Sequence, residues 1–210
     1  MSESTVYVVD DDSRVRESMQ DLLSSFGFRV TTFGSAVEYV ASAQPAEGAC
    51  LVLDVELPDI NGLELQRQLG GGEHPPIIFI TGHGDIPSSV RAMKAGAVDF
   101  LPKPFCPEQL LAAINVAIEQ GRKSRKEQME LEMLKKRLAS LTPREREVLP
   151  LVVRGLLNKQ AAAELGISEV TLQIHRGQVM RKMNAESLAE LVRMGIKLGI
   201  EGSRAAPASA

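Results

Sequence analysis

The chain has 210 residues, 44% hydrophobic and 24% charged, with a net charge of −3, ordinary values for a globular protein of one large or two small domains. No apolar run approaches the ~20 residues that a membrane-crossing helix needs. The opening Met-Ser-Glu-Ser-Thr is too polar for a secretory leader, and the two cysteines, Cys50 and Cys106, lack metal-ligand spacing. The expected compartment is therefore reducing cytoplasm. Charge is unevenly spread: residues 1–120 hold 7 Lys and Arg against 17 Asp and Glu, and residues 121–210 hold 17 against 10. An acidic part followed by a basic part points to two domains with different partners, the second a candidate for binding a polyanion.

In chain order, Thr5-Val6-Tyr7-Val8-Val9 is an apolar strand ending in Asp10-Asp11-Asp12. Residues 13–26 carry apolar side chains at helical spacing, and Gly27 stops them. Residues 28–33 alternate as a more exposed strand. Ser35-Ala36-Val37-Glu38 is a capping box that opens a short helix. Cys50-Leu51-Val52-Leu53 reads as a strand buried on both faces, with Asp54 at its end and a loop from Leu57 to Gly62. A helix from Gly62 to Leu69 stops at Gly70-Gly71-Gly72. Residues 76–81 form a fourth strand ending at Thr81, and Asp85 caps a helix that runs to Ala95. Residues 98–102 form a short fifth strand before Lys103-Pro104, and Pro107-Glu108 opens another helix.

Five alternations of strand and helix predict a parallel sheet covered by helices on both faces. Sites in such sheets gather beyond the C-terminal strand ends. Asp10, Asp11, Asp54, Thr81 and Lys103 should therefore converge there. Clustered carboxylates suit a hard divalent cation such as Mg²⁺ or Mn²⁺. A carboxylate can also attack phosphorus, while an ammonium and a hydroxyl stabilise the phosphoryl group. A strand-end aspartate that merely caps a helix explains any one of these residues, and is the reading for Asp12, but it explains the set poorly. His83, a lone loop histidine, is assigned no role.

Val9-Asp10-Asp11, Leu53-Asp54-Val55-Glu56-Leu57-Pro58, Thr81-Gly82-His83-Gly84 and Lys103-Pro104-Phe105 together resemble the receiver domain of bacterial two-component response regulators. The resemblance implies a flavodoxin-like, five-stranded parallel sheet of order 2-1-3-4-5. It implies Asp54 as phosphoacceptor, with Mg²⁺ held by Asp10, Asp11, Asp54 and the backbone carbonyl of Glu56. Thr81 and Phe100 match the pair that shifts on phosphorylation, and Lys103 matches a lysine whose bond to the next proline is often cis.

Further on, Leu131, Leu134, Leu138 and Leu141 recur at spacings of three, four and three. The pattern suits a short coiled-coil seam and equally a helix packed on its own domain, and Gly121 is a point where the helix could break. Thr142-Pro143-Arg144-Glu145 is a complete helix start, and Pro150 lies inside the helix it opens. Residues 158–165 form a short helix ended by Gly166, Ser168 caps the next one to Met183, and Ser187 caps a last one. Two helices joined at Gly166 inside a basic four-helix domain describe a helix-turn-helix. In its second helix Leu172, His175, Val179 and Met183 should face inward. Gln173, Ile174, Arg176, Gly177 and Arg181 should face outward, a set suited to base edges and phosphates.

Leu141-Thr142-x-Arg144-Glu145-Arg146-Glu147-Val148-Leu149, Gly155-x-x-Asn158-Lys159 and Gly166-Ile167-Ser168-x-x-Thr171 resemble the LuxR-type DNA-binding domain, and the whole chain resembles response regulators of the FixJ/NarL class. By that resemblance Gln173, Ile174 and Gly177 read the major groove, and Lys159, Thr171, Arg176 and Arg181 contact phosphates. Pro150, Leu157 and Gln173 depart from the usual pattern. The expected division is a receiver domain at 1–120, a helical linker at 121–137, the DNA-binding domain at 138–202 and a disordered tail at 203–210. The expected partners are a sensor histidine kinase, double-stranded promoter DNA and a second copy of the chain upon activation, with RNA polymerase a further candidate. Slow autodephosphorylation is the only enzymatic activity implied. Two rivals stand beside this reading: an aspartyl-phosphate hydrolase using Asp54 and Glu56, which leaves the basic part unexplained, and an interaction module indifferent to phosphorylation.

Overall fold

A computed structural model of the full chain describes residues 4–42, 48–70, 74–82 and 86–200. The expectations placed on Gly71, Gly72, His83, Asp85 and residues 201–210 lie outside the described residues. The chain divides into two compact units, Met1–Arg125 and Lys126–Ala210.

The first unit alternates β1 (Thr5–Val9), α1 (Ser13–Ser25), β2 (Arg29–Phe33), α2 (Ala36–Ser42), β3 (Cys50–Asp54), α3 (Gly62–Leu69), β4 (Ile77–Thr81), α4 (Ile86–Lys94) and β5 (Asp99–Pro102), and then enters α5 (Pro107–Ala139). The strands pair in parallel in the order β2-β1-β3-β4-β5. Successive side chains point to opposite faces, so each central strand builds two cores. Val6, Val8, Cys50, Val52, Ile78 and Ile80 meet Met19 and Leu23 of α1 and Leu110 and Ile114 of α5. Tyr7, Val9, Leu51, Leu53, Ile77 and Phe79 meet Tyr39 of α2, Leu65 of α3 and Ala92 of α4. Each fully buried branched or aromatic side chain contributes about 1.5–3 kcal/mol.

The register positions the site. Val9 stands beside Leu53, Asp54 beside Ile80, and Thr81 beside Pro102. Asp10, Asp54, Thr81 and Lys103 therefore emerge at one edge. Cys50, fully buried in β3, has its thiol pushed up to about 12 by desolvation, whereas Cys106 is exposed. A thiol reagent is expected to modify Cys106 promptly and Cys50 only after denaturant is added, which mass spectrometry of the labelled peptides checks.

Two local expectations change on contact with the rest of the fold. Gly121 does not break α5: a Cβ there would lie 3.1 Å from Pro76 Cδ and Cγ, so this glycine permits a close approach. At α2 the Ser35 hydroxyl accepts from Glu38 N–H, but the Glu38 carboxylate accepts from Gly34 N–H rather than closing the box on Ser35. Asp59, from the loop after β3, accepts from Val37 N–H at 2.8 Å and adds a cap that local sequence did not suggest.

The second unit packs α6 (Pro143–Val153), α7 (Asn158–Leu165), α8 (Glu169–Met183) and α9 (Leu188–Lys197) around Val148, Leu149, Val152, Ala161, Leu172 and Leu191. Leu134 and Leu141 are buried in this core and Leu138 packs against it, so these three leucines belong to chain packed on its own unit. α6 begins with the Thr142/Glu145 capping box and continues through Pro150. Gly166 ends α7 in the left-handed conformation (φ 64°), and Ser168 caps α8 by accepting from Thr171 N–H.

Candidate functional site

The pocket at the sheet edge is organised by Lys103. Its Nζ donates to Asp10 Oδ2 and to Asp54 Oδ2, each at 2.6 Å. The other oxygens of the two carboxylates are also held: Asp10 Oδ1 accepts from Asp12 N–H and Asp54 Oδ1 from Glu56 N–H, both at 2.9 Å. Asp10 is fully buried and Asp54 nearly so. Burial pushes the Asp10 carboxyl above its ordinary value, against the opposing pull of Lys103 and the Asp12 amide. Burial also works against the Lys103 charge, but its bonds to Asp10 and Asp54 outweigh this and hold the ammonium above the usual lysine range.

Thr81 is fully buried at the end of β4, where its carbonyl accepts from Lys103 N–H at 2.7 Å. The Lys103–Pro104 bond is cis. Phe100 is half-buried, its ring tilted 42° to that of Phe79 with centroids 6.2 Å apart. Glu56 is exposed. Asp12 is a helix cap, accepting from Arg14 N–H. Carboxylate oxygens of Asp10, Asp11 and Asp54 lie within 4.8 Å of one another. Three hard anionic oxygens at that spacing fit a small divalent cation. Two participants were not legible in advance: Arg16, whose Nη1 donates to the carbonyls of Asp10 and Asp11, and Gly62, packed against the Asp54 carbonyl.

In the second unit, α8 buries Leu172, Val179 and Met183, while His175 is only half-buried. Gln173, Ile174, Gly177 and Arg181 are exposed, and Lys159 is exposed on α7. A Cβ at Gly177 would meet nothing within 4 Å beyond its own stretch of helix, so this surface is open to close approach. Thr171 and Arg176 are half-buried: the Thr171 hydroxyl bonds the Ser168 hydroxyl at 2.8 Å, and Arg176 Nη1 donates to Asn158 Oδ1 at 2.8 Å. Lys182 is taken up by a bond to the buried Glu145 carboxylate at 2.7 Å.

Comparisons with known proteins agree with this architecture. Residues 6–115 match the response regulator receiver domain family, and residues 139–195 match the bacterial regulatory proteins of the luxR family. Nodulation protein W of Bradyrhizobium diazoefficiens is 51% identical over 203 residues, which cover 96% of this chain and 89% of that protein. Transcriptional regulatory protein FixJ of Azorhizobium caulinodans is 44% identical over 196 residues, 93% of each chain. The solved structure of the response regulator StyR superposes with a TM-score of 0.79 at 48% identity, covering 93% of this chain and all of that one. Among the described residues no helix is long and apolar enough to cross a membrane. The chain thus belongs to the FixJ-type response regulators of two-component systems, in which a receiver domain is joined to a LuxR-type DNA-binding domain and transcription is regulated in dependence on phosphorylation.

Proposed function

We propose that Asp54 is the phosphoacceptor and that Asp10, Asp11, Asp54 and the backbone carbonyl of Glu56 hold Mg²⁺ or Mn²⁺. The observation that carries the reading is the Lys103 ammonium shared between Asp10 and Asp54 at the end of the central strands. An Asp54 carboxylate oxygen forms a bond to phosphorus as the bond from phosphorus to the kinase histidine nitrogen, or to a small phosphodonor, breaks. The bound cation supplies charge neutralisation for the phosphoryl oxygens. Lys103 leaves Asp54 Oδ2 and pairs with the phosphoryl group, the Thr81 hydroxyl donates to it, and Phe100 follows into the space vacated.

The functional division is a receiver at 1–120, a linker at 121–137 and a DNA-binding domain at 138–202, acting in the cytoplasm. Dimerisation on the face of α4, β5 and α5 is supported by Ile86, Val90 and Met93, which are exposed at helical spacing on α4. Exposed Leu188 and Ile196 support α9 as the contact between DNA-bound copies. Gln173, Ile174 and Gly177 read bases, Lys159, Thr171, Arg176 and Arg181 hold phosphates, and RNA polymerase is the partner downstream.

Acetyl phosphate with Mg²⁺ is expected to raise the dimer fraction in sedimentation and the affinity for operator DNA, and Asp54→Ala to abolish both responses. A wild-type chain that does neither sinks the mechanism. Within the second unit, Gln173→Ala is expected to cost about 1–3 kcal/mol at one base position. Lys159→Ala should weaken all sequences alike and lower the salt dependence of binding.

A further inference from the structure

The three carboxylates of the pocket are not held alike. Asp10 and Asp54 each accept from the Lys103 ammonium and from a backbone N–H two residues ahead. Asp11 is exposed, and its carboxylate has no partner among the described residues. Its place within the cluster is therefore set by its own main chain. That main chain is tied down by one side chain: Arg16 Nη1 donates to Asp10 O at 2.7 Å and to Asp11 O at 3.0 Å. Arg16 sits near the start of α1, and its own N–H donates to Asp12 O at 3.1 Å. The turn that carries the acidic pair is thereby latched onto the helix that follows it.

We infer that Arg16 is a positioning residue for divalent-cation binding, fixing the two consecutive carbonyls whose orientation keeps the Asp11 carboxylate in the pocket. This rests on reading the pocket as a divalent-cation site. The sign of the effect separates positioning from simple electrostatics. A guanidinium beside an acidic pocket repels a second cation, so charge removal alone would tighten ion binding. Loss of the latch would loosen it, because a carboxylate free to swing out must be ordered again when the ion binds.

The test is titration of the unphosphorylated full chain with Mn²⁺, following the free ion by electron paramagnetic resonance. Arg16→Ala is expected to weaken binding about tenfold, the lower end of what loss of an orienting partner does. Arg16→Lys should recover part of the loss, since an ammonium can also donate to two carbonyls. In an Asp11→Asn background, Arg16→Ala should have no further effect. Tyrosine circular dichroism checks the receiver fold, since both tyrosines, Tyr7 and Tyr39, lie in it. If the alanine variant fails to fold, Arg16→Lys against wild type, with and without Asp11→Asn, carries the same comparison. Unchanged or tighter Mn²⁺ binding in Arg16→Ala, or a loss that adds to that of Asp11→Asn, overturns the role of Arg16. Wild-type Mn²⁺ affinity in Asp11→Asn overturns the pocket reading itself, and the proposal with it.

Discussion

Gly62→Ala is expected to destabilise the receiver unit by about 3 kcal/mol, the upper end for forcing one methyl into a packed interior, and, with Asp54 as the proposed phosphoacceptor, to slow labelling by acetyl phosphate. Gly62 opens α3, and its N–H donates to Val55 O at 2.9 Å. A Cβ there would lie 2.3 Å from the Asp54 carbonyl oxygen and 3.1 Å from Val55 Cα. All of these are backbone atoms at the end of the central strand, so no rotamer change relieves the clash. Asp54 closes β3 and stands opposite Ile80 of β4. Either α3 moves outward and uncovers Leu65, which is buried against the sheet, or the end of β3 shifts and takes the Asp54 carboxylate away from Lys103. Both routes reduce stability, and the second also disturbs the pocket. Urea unfolding followed by tyrosine circular dichroism, with labelling by acetyl phosphate, measures the two effects. A variant as stable as wild type would show that the packing of α3 on β3 is not tight.

The features legible in the sequence and those hidden from it differ in physical origin. The strands of the receiver announce themselves as apolar runs that end in an acid, a hydroxyl or a lysine. Parallel packing then leaves little choice about where Asp10, Asp54, Thr81 and Lys103 must meet. Caps such as Asp12, Thr142 and Ser168 are equally visible, because donor and acceptor lie two or three residues apart. Contacts made across the fold leave no such trace. Asp59 caps a helix 22 residues before it. Gly121, locally a helix breaker, is placed by Pro76. Arg16 looks like one more solvated residue on α1 until the carbonyls it bonds are seen. On α8 the inward apolar positions were legible from spacing, but the tie from Arg176 to Asn158 and the capture of Lys182 by Glu145 were not.

Glu145 is where a local signal concealed a long-range one, and Glu145→Ala is expected to cost the second unit about 3 kcal/mol. Its carboxylate is almost fully buried; Oε2 accepts from Thr142 N–H at 2.8 Å and from Lys182 Nζ at 2.7 Å. One side chain thus closes the start of α6 and anchors the last turn of α8, 37 residues on. Loss of the cap accounts for about 1 kcal/mol, and loss of a charge-assisted bond for about 1.5–3 kcal/mol. The Lys182 side chain, 26% exposed, can turn to water, so its charge is not stranded. Lys182→Met is the harsher change per bond lost, because it leaves a buried carboxylate without its cation. A double-mutant cycle should show the two substitutions to be strongly coupled. Lys182 and the Thr142 amide hold the Glu145 carboxyl below its ordinary value, against burial. The unfolded chain therefore takes up the proton more readily. The stability from Glu145 is fully present above the ordinary glutamate pKa of about 4.3 and is lost as pH falls through the lower folded value. Tyrosine signals follow the first unit alone and helical circular dichroism follows both, so a helical transition without a tyrosine counterpart belongs to the second unit. The stability gap between wild type and Glu145→Gln should hold from pH 7 to about 5 and narrow below about 4.3. A gap that stays constant down to pH 3 would mean that the carboxylate charge is not what joins α6 to α8.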